Sequence, residues 1–291
     1  MTLDPRINPV RPDLAAARLR GRVEAARFTD GEQKRVLAPA APVRRHPARD
    51  AALDTEALMG ERVTVYDSQG GFAWVQLEAD GYVGYLPSDA LGEIGAEPDR
   101  RVCALRTFVY PGPNLKLPPT GFLSLNAAVA VRAVEGDYAQ LATGGFVHLA
   151  HLADRSHHEP DFVAVAERFV GTPYLWGGKT SLGLDCSGLV QIALAAAGIP
   201  APRDSDMMAR ELGSPVDAGP DLSGLRRGDL VCWDGHIGIM LDDRELLHAN
   251  GHAMATAVEP LRVAEERIRK NSYGPITGIR RLPRLGGGLG P

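Results

Sequence analysis

Hydrophobic and polar positions change period along this chain, and the change divides it. From Arg35 to about residue 150, β-branched and aromatic residues alternate with polar ones in short runs around Gly-containing turns, the period-two signature of strands. Val63 and Val65 followed by Trp74, Val75 and Leu77 fit a strand, a turn and a strand. Val129 and Val131 followed by Tyr138, Gln140 and Leu141 repeat the pattern. RVLAPAAPVRRHP from Arg35 parallels RVCALRTFVYPGP from Arg101, an internal repeat that predicts two tandem small β-barrels.

Past residue 160 the spacing becomes helical: Phe162, Val165, Ala166, Phe169 and Val170 fall at i, i+3, i+4, i+7 and i+8. DCSGLVQIALAAAGI predicts a second, apolar helix, and GDLVCWDG, HIGIMLDD, ELLHAN and ITGIRRL predict strands. Helices preceding a sheet make an α+β domain. At the other end, Pro5, Pro9 and Pro12 predict an extended arm. Asp13 then caps an expected helix through LAAARLRGRVEAARF that stops at Asp30-Gly31. The expected organisation is arm and helix 1–33, first barrel 34–97, second barrel 98–153 and α+β domain 154–285. The polar, His-rich 151–161 reads as a linker and the GGGLGP end as a flexible tail.

Composition narrows the function classes. The 291 residues, 44% of them hydrophobic, suffice for a large core. With 32 Lys and Arg against 36 Asp and Glu, there is no basic excess to drive nucleic-acid binding. No apolar run reaches the ~20 residues of a membrane span, and the first residues lack a signal-like apolar core, which points to the cytoplasm and to no membrane association. Three cysteines, Cys103, Cys186 and Cys232, do not make a disulfide framework. The oligomeric state is not written in the sequence.

Cys186 opens the predicted helix SGLVQIALAAAG, so its sulfur lies near unpaired backbone N–H groups and the positive end of the helix dipole. Both favour the thiolate at neutral pH. The competing reading is a small buried residue. Cys103 and Cys232 fall in apolar strand contexts, and Cys232 reads as core packing. His236 and His248 sit on neighbouring predicted strands, where His236 is placed to take the thiol proton and His248 to orient its ring; each alone also reads as a satisfied strand histidine. Zinc is a rival for Cys186, His236, His248 and His252, but no close cysteine pair such as C-x-x-C exists, so neither a metal nor any cofactor is expected. His148, His151, His157 and His158 are assigned no role.

GTPYLWGGKTSLGLDCSGLVQIALAAAG, GDLVCWDGHIGIML and LLHANG together resemble the NlpC family of papain-like bacterial cell-wall cysteine peptidases over roughly residues 160 to 283. Tyr174, Trp176, Gly177, Gly178, Asp185, Cys186, Ser187, Gly188, His236 and His248 fall on its motif positions. The two β repeats resemble bacterial SH3-like domains. The resemblance implies a Cys186–His236–His248 triad and cleavage of the γ-D-glutamyl–L-diamino acid bond in murein tri- or tetrapeptides with a free N-terminal L-Ala, a recycling reaction. It places Arg203, Asp204 and Ser205 in the amine pocket, although a helix cap at Asp204 or Ser205 is equally natural. It also implies Glu61 and Tyr82 as the wall of that pocket, against strand-edge solvation and barrel packing. Tyr174, Asp185 and Ser187 join the substrate-binding set, and Trp176 reads as structural. The alternatives are wall binding through the SH3-like domains, acyl transfer, and cleavage of intact peptidoglycan.

Overall fold

A computed structural model describes residues 3–219 and 221–283. Two compact units divide the chain, residues 1–157 and 158–291. The GGGLGP segment lies outside the described residues.

The first unit is built from β-structure, as period-two patterning dictates. Seven strands form one antiparallel sheet in the order Leu53–Leu58, Ala40–Arg44, Val83–Pro87, Phe72–Leu77, Arg62–Gln69, Glu32–Val36 and Leu91–Gly92. Alternate residues of these strands (Val36, Val43, Val63, Val75, Leu77) close one apolar core. A second core gathers Val102, Leu123, Val129, Leu141 and Val147 from the repeat that follows. The strand Leu152–Asp154 pairs with Arg100–Val102, so the beginning of the expected linker is part of this unit.

The N-terminal helix expected from residue 13 is absent. Leu14–Ala16 is a strand paired in parallel with Arg27–Thr29, and only Ala17–Leu19 makes a single 3₁₀ turn. Leu14, Ala15 and Ala16 are all buried, and their backbone is committed to the pairing with Arg27–Thr29 rather than to a helix with one polar face. The arm is tied down by its own backbone: Val83 donates its N–H to the Arg6 carbonyl at 2.7 Å. Arg11, 4.3 Å above the Trp74 ring, donates to Asp67 at 2.6 Å. Asp13 accepts from Arg11 and caps nothing.

The second unit is α+β. Six antiparallel strands run in the order Ser214–Pro215, Gly278–Arg281, Leu230–Trp233, His236–Met240, Glu245–Asn250 and Ala255–Pro260. Among the described residues four helices accompany them: α1 (Phe162–Glu167), α2 (Cys186–Ala196), α3 (Ser205–Glu211) and α4 (Leu261–Asn271). Helix α2 is apolar nearly all round and buried along its length, packing on α1 and on the strand His236–Met240. Helix α4 is amphipathic, turning Leu261, Ala264 and Ile268 inward onto Trp233, Met240 and Leu246.

Candidate active site

The start of α2 is fixed by one carboxylate. Asp185 occupies the N-cap and accepts the Gly188 N–H at 2.6 Å. Its second oxygen accepts the Gly177 N–H at 2.9 Å, tying the Trp176-Gly177-Gly178 turn to the helix. Gly188 is required here, because a methyl group on it would run into the Gly178 carbonyl oxygen. Arg203, 1% exposed, grips both Asp185 oxygens at 3.0 and 2.7 Å and donates to Ser187 Oγ at 2.7 Å. The Arg203 charge therefore reaches the site through Asp185 and Ser187. Asp204 occupies the N-cap position of α3, yet its side chain makes no capping bond.

Cys186 begins α2 and is 7% exposed, with the Ile237 backbone N–H directed at its sulfur. Ile237 follows His236, which the two-residue turn Asp234-Gly235 places at the start of its strand; Gly235 takes the positive φ of 85° that such a hairpin needs. Tyr273 stacks on the His236 ring at 5.3 Å with a 4° interplanar angle, and Trp233 flanks it at 5.6 Å. Tyr273 and Tyr174 both lie within electrostatic reach of Cys186: burial and then the sulfur raise each phenol above its ordinary value.

Sheet register explains how the two histidines meet. Met240 pairs with Leu246, so His236 and His248 project from one face as diagonal neighbours on adjacent strands. Between them Gly238 leaves room, since a side chain there would press on the Cβ of His248. His236 Nε2 and His248 Nδ1 are 2.8 Å apart. His248 is fully buried, and its Nε2 lies 2.8 Å from Glu259 Oε1. On the third strand His248 pairs with Ala257, and Glu259, two residues on, occupies the same face. Arg267 of α4 then holds both Glu259 oxygens. Glu259 and Arg267 escape a sequence reading because they join the histidines only through the pairing of the last strand and the docking of α4; the pattern Leu261, Ala264, Ile268 is the signal that α4 exists.

The electrostatics oppose a resting thiolate. Burial, and after it the Asp185 carboxylate, push the Cys186 thiol up to about 12, against the smaller help of the Ile237 N–H and Arg203. Burial and His248 press His236 down to about 3. The thiolate expected from the helix dipole alone is thus corrected: at neutral pH the proton stays on sulfur and His236 is a neutral imidazole ready to receive it. Cys232 is buried and also raised, to about 11, by desolvation. Cys103 is half-buried just after the strand Arg100–Val102, outside the apolar strand context expected for it.

Other expected positions fall as follows. Ser205 is buried at the start of α3, and Trp176, expected to be structural, is 60% exposed. Glu61 and Tyr82 belong to the first unit: Glu61 precedes the strand Arg62–Gln69, and Tyr82, 4% exposed, packs in the first apolar core. Of the zinc candidates, His236 and His248 spend a ring nitrogen on each other, and among the described residues no group of three metal-binding side chains is present. No helix of the described residues is long and apolar enough to cross a membrane.

Residues 171–271 match the NlpC/P60 family, and residues 43–91 match the bacterial dipeptidyl-peptidase SH3 domain. Gamma-D-glutamyl-L-lysine dipeptidyl-peptidases of Bacillus cereus and Bacillus subtilis are 24% and 26% identical. The alignments cover 72% and 69% of this chain and 71% and 73% of theirs. In fold, the chain is similar to the crystal structure of an NlpC/P60 family protein from Bacillus cereus, with a TM-score of 0.71 at 21% identity, covering 87% of this chain and 100% of that one. A helix-start cysteine beside a histidine pair, inside the matched segment, is the apparatus of thiol hydrolysis, and the chain carries an NlpC/P60 cysteine-peptidase domain with an SH3 domain of the bacterial dipeptidyl-peptidase kind ahead of it.

Proposed function

We propose that this peptidase hydrolyses the γ-D-glutamyl–L-diamino acid bond of murein peptides bearing a free N-terminal L-Ala, in cell-wall recycling within the cytoplasm. The observation that carries the chemistry is the His236–His248 pair beside the Cys186 sulfur. The substrate class is taken from the two Bacillus relatives, whose names specify a γ-D-glutamyl-L-lysine bond.

In the proposed reaction Cys186 Sγ attacks the γ-carbonyl carbon as its proton passes to His236, which avoids a free thiolate in a buried site. The collapsing intermediate expels the diamino acid amine, and His236 returns the proton to it. Water, deprotonated by His236, then attacks the thioester carbon; the C–S bond breaks, His236 returns the proton to Cys186 Sγ, and L-Ala-γ-D-Glu is freed. A cavity of about 240 Å³ adjoins both imidazoles and is lined by Asn250, His252, Arg267 and Tyr273 among others. On the thiol side, the α2 N-terminus and Tyr174 adjoin Cys186. In this reading Asp204 supplies a carboxylate for the substrate ammonium.

Incubation with L-Ala-γ-D-Glu-L-Lys and product analysis by mass spectrometry test the reading. Release of L-Ala-γ-D-Glu is expected; a protein that leaves the tripeptide intact while cleaving polymeric peptidoglycan would replace it with an endopeptidase of intact wall.

A further inference from the structure

Behind the two imidazoles stands an ion pair that neither the sequence motif nor the peptidase reading employs. We infer that the Arg267–Glu259 pair is a positioning device that fixes the protons on both rings and leaves Nδ1 of His236 as the base facing Cys186. The inference deepens the proposed peptidase mechanism and rests on it only for the kinetic arm of its test.

A carboxylate accepts and cannot donate, so His248 Nε2, 2.8 Å from Glu259 Oε1, carries a proton. With the buried His236 neutral at rest, two protonation states of the pair then remain. In one, His248 is neutral; its Nδ1 is a lone pair, and the 2.8 Å contact to His236 Nε2 requires the proton on that nitrogen, so His236 Nδ1 is free to act as base. In the other, His248 is an imidazolium that donates from Nδ1 into His236 Nε2, and the neutral His236 ring then carries its proton on Nδ1, blocking the base. Arg267 decides between them. It already neutralises Glu259 with two hydrogen bonds, so a second cation at the fully buried His248 would have no anion to balance it.

The same chain serves the moment when His236 holds the thiol proton. A positive charge on the inner ring is then within two hydrogen bonds of the Glu259 carboxylate, while Arg267 limits that help and keeps the resting ring neutral. The titratable and charged groups gathered around His236 are Cys186 from α2, His248 and Glu259 from the next two strands, Arg267 from α4, and Tyr273 beyond it.

Long-range ¹H–¹⁵N NMR of the ¹⁵N-labelled, substrate-free protein at neutral pH reads the tautomers directly. The expected result is a proton on Nε2 and a bare Nδ1 in both His236 and His248. A proton on Nδ1 of His236, or an imidazolium at His248, would overturn the inference whether or not any murein peptide is a substrate. In Glu259→Gln, kcat on the tripeptide should fall at least about tenfold with KM changed less than about twofold. Its acid limb should move to lower pH, because the anion that favours the protonated ring is gone. A folded Glu259→Gln protein with wild-type tautomers, kcat and acid limb would equally overturn it. Should that variant not fold, the wild-type spectrum still decides.

Discussion

Asp185 and Arg203 form a two-pronged ion pair, 3.0 and 2.7 Å long, beneath the first turn of α2, with the arginine side chain 1% and the aspartate side chain 11% exposed. This pair holds the Gly177 N–H, the Gly188 N–H and the Ser187 hydroxyl in one network around Cys186. Removing the cation strands a buried carboxylate. Arg203→Met should therefore lower the unfolding free energy by about 3 to 5 kcal/mol in denaturant titrations. A loss under about 1 kcal/mol would mean that water reaches Asp185.

Catalytic substitutions should separate by role. Cys186→Ala and His236→Ala are expected to lower kcat/KM on the tripeptide by roughly 10³-fold or more with the fold intact by circular dichroism. His248→Ala should lose less, on the order of 10- to 100-fold, because water can partly replace an orienting group. Retained turnover in purified Cys186→Ala would exclude sulfur as the nucleophile.

Alkylation should follow the buried, protonated state of Cys186. With the thiol pushed up to about 12, iodoacetamide labelling at pH 7 should be faster at the half-buried Cys103 than at Cys186. Labelling of Cys186 should then climb about tenfold per pH unit between 7 and 10. Peptide mass mapping gives both rates. A Cys186 rate that levels off below pH 7 would show that the helix dipole outweighs burial.

Acid should destabilise the site in two stages of one sign. His236 is pressed from 6.5 down to about 3, so below pH 6.5 the unfolded chain binds a proton that the folded ring refuses, and stability falls. Arg267 and then His248 hold Glu259 down from 4.5 to about 2, which adds a second loss as pH drops from 4.5. Melting temperatures from pH 7.5 to 3.5 should decline progressively, and His236→Gln should flatten the decline between 6.5 and 4.5. An unchanged slope in that variant would place the titration elsewhere.

The site was legible in the sequence as far as local pattern carries. Asp-Cys-Ser-Gly before an apolar run marks a capped helix, and histidines at the start and within two apolar runs mark neighbouring strands; the chain forms α2 and the strands His236–Met240 and Glu245–Asn250 there. What stayed hidden depends on tertiary pairing. Glu259 and Arg267 reach His248 only through a strand register and a helix docking that no spacing records. The Ala-rich segment after Asp13 has helix propensity, but its three buried residues and the pairing with Arg27–Thr29 override it. The charge state of Cys186 failed for a related reason: a helix start is visible in sequence, the depth of its burial is not.

Cleavage of short murein peptides through Cys186, with recognition of a free amine, is the core of the proposed function. Comparing kcat/KM for L-Ala-γ-D-Glu-L-Lys and its N-acetylated form, with Cys186→Ala as control, tests it most directly. Loss of a charge-assisted hydrogen bond costs about 1.5 to 3 kcal/mol, so the acetylated peptide should be cleaved at least about tenfold less efficiently, and the alanine variant should cleave neither. Equal cleavage of both peptides by the wild type would contradict recognition of the amine, and cleavage by Cys186→Ala would contradict the mechanism itself.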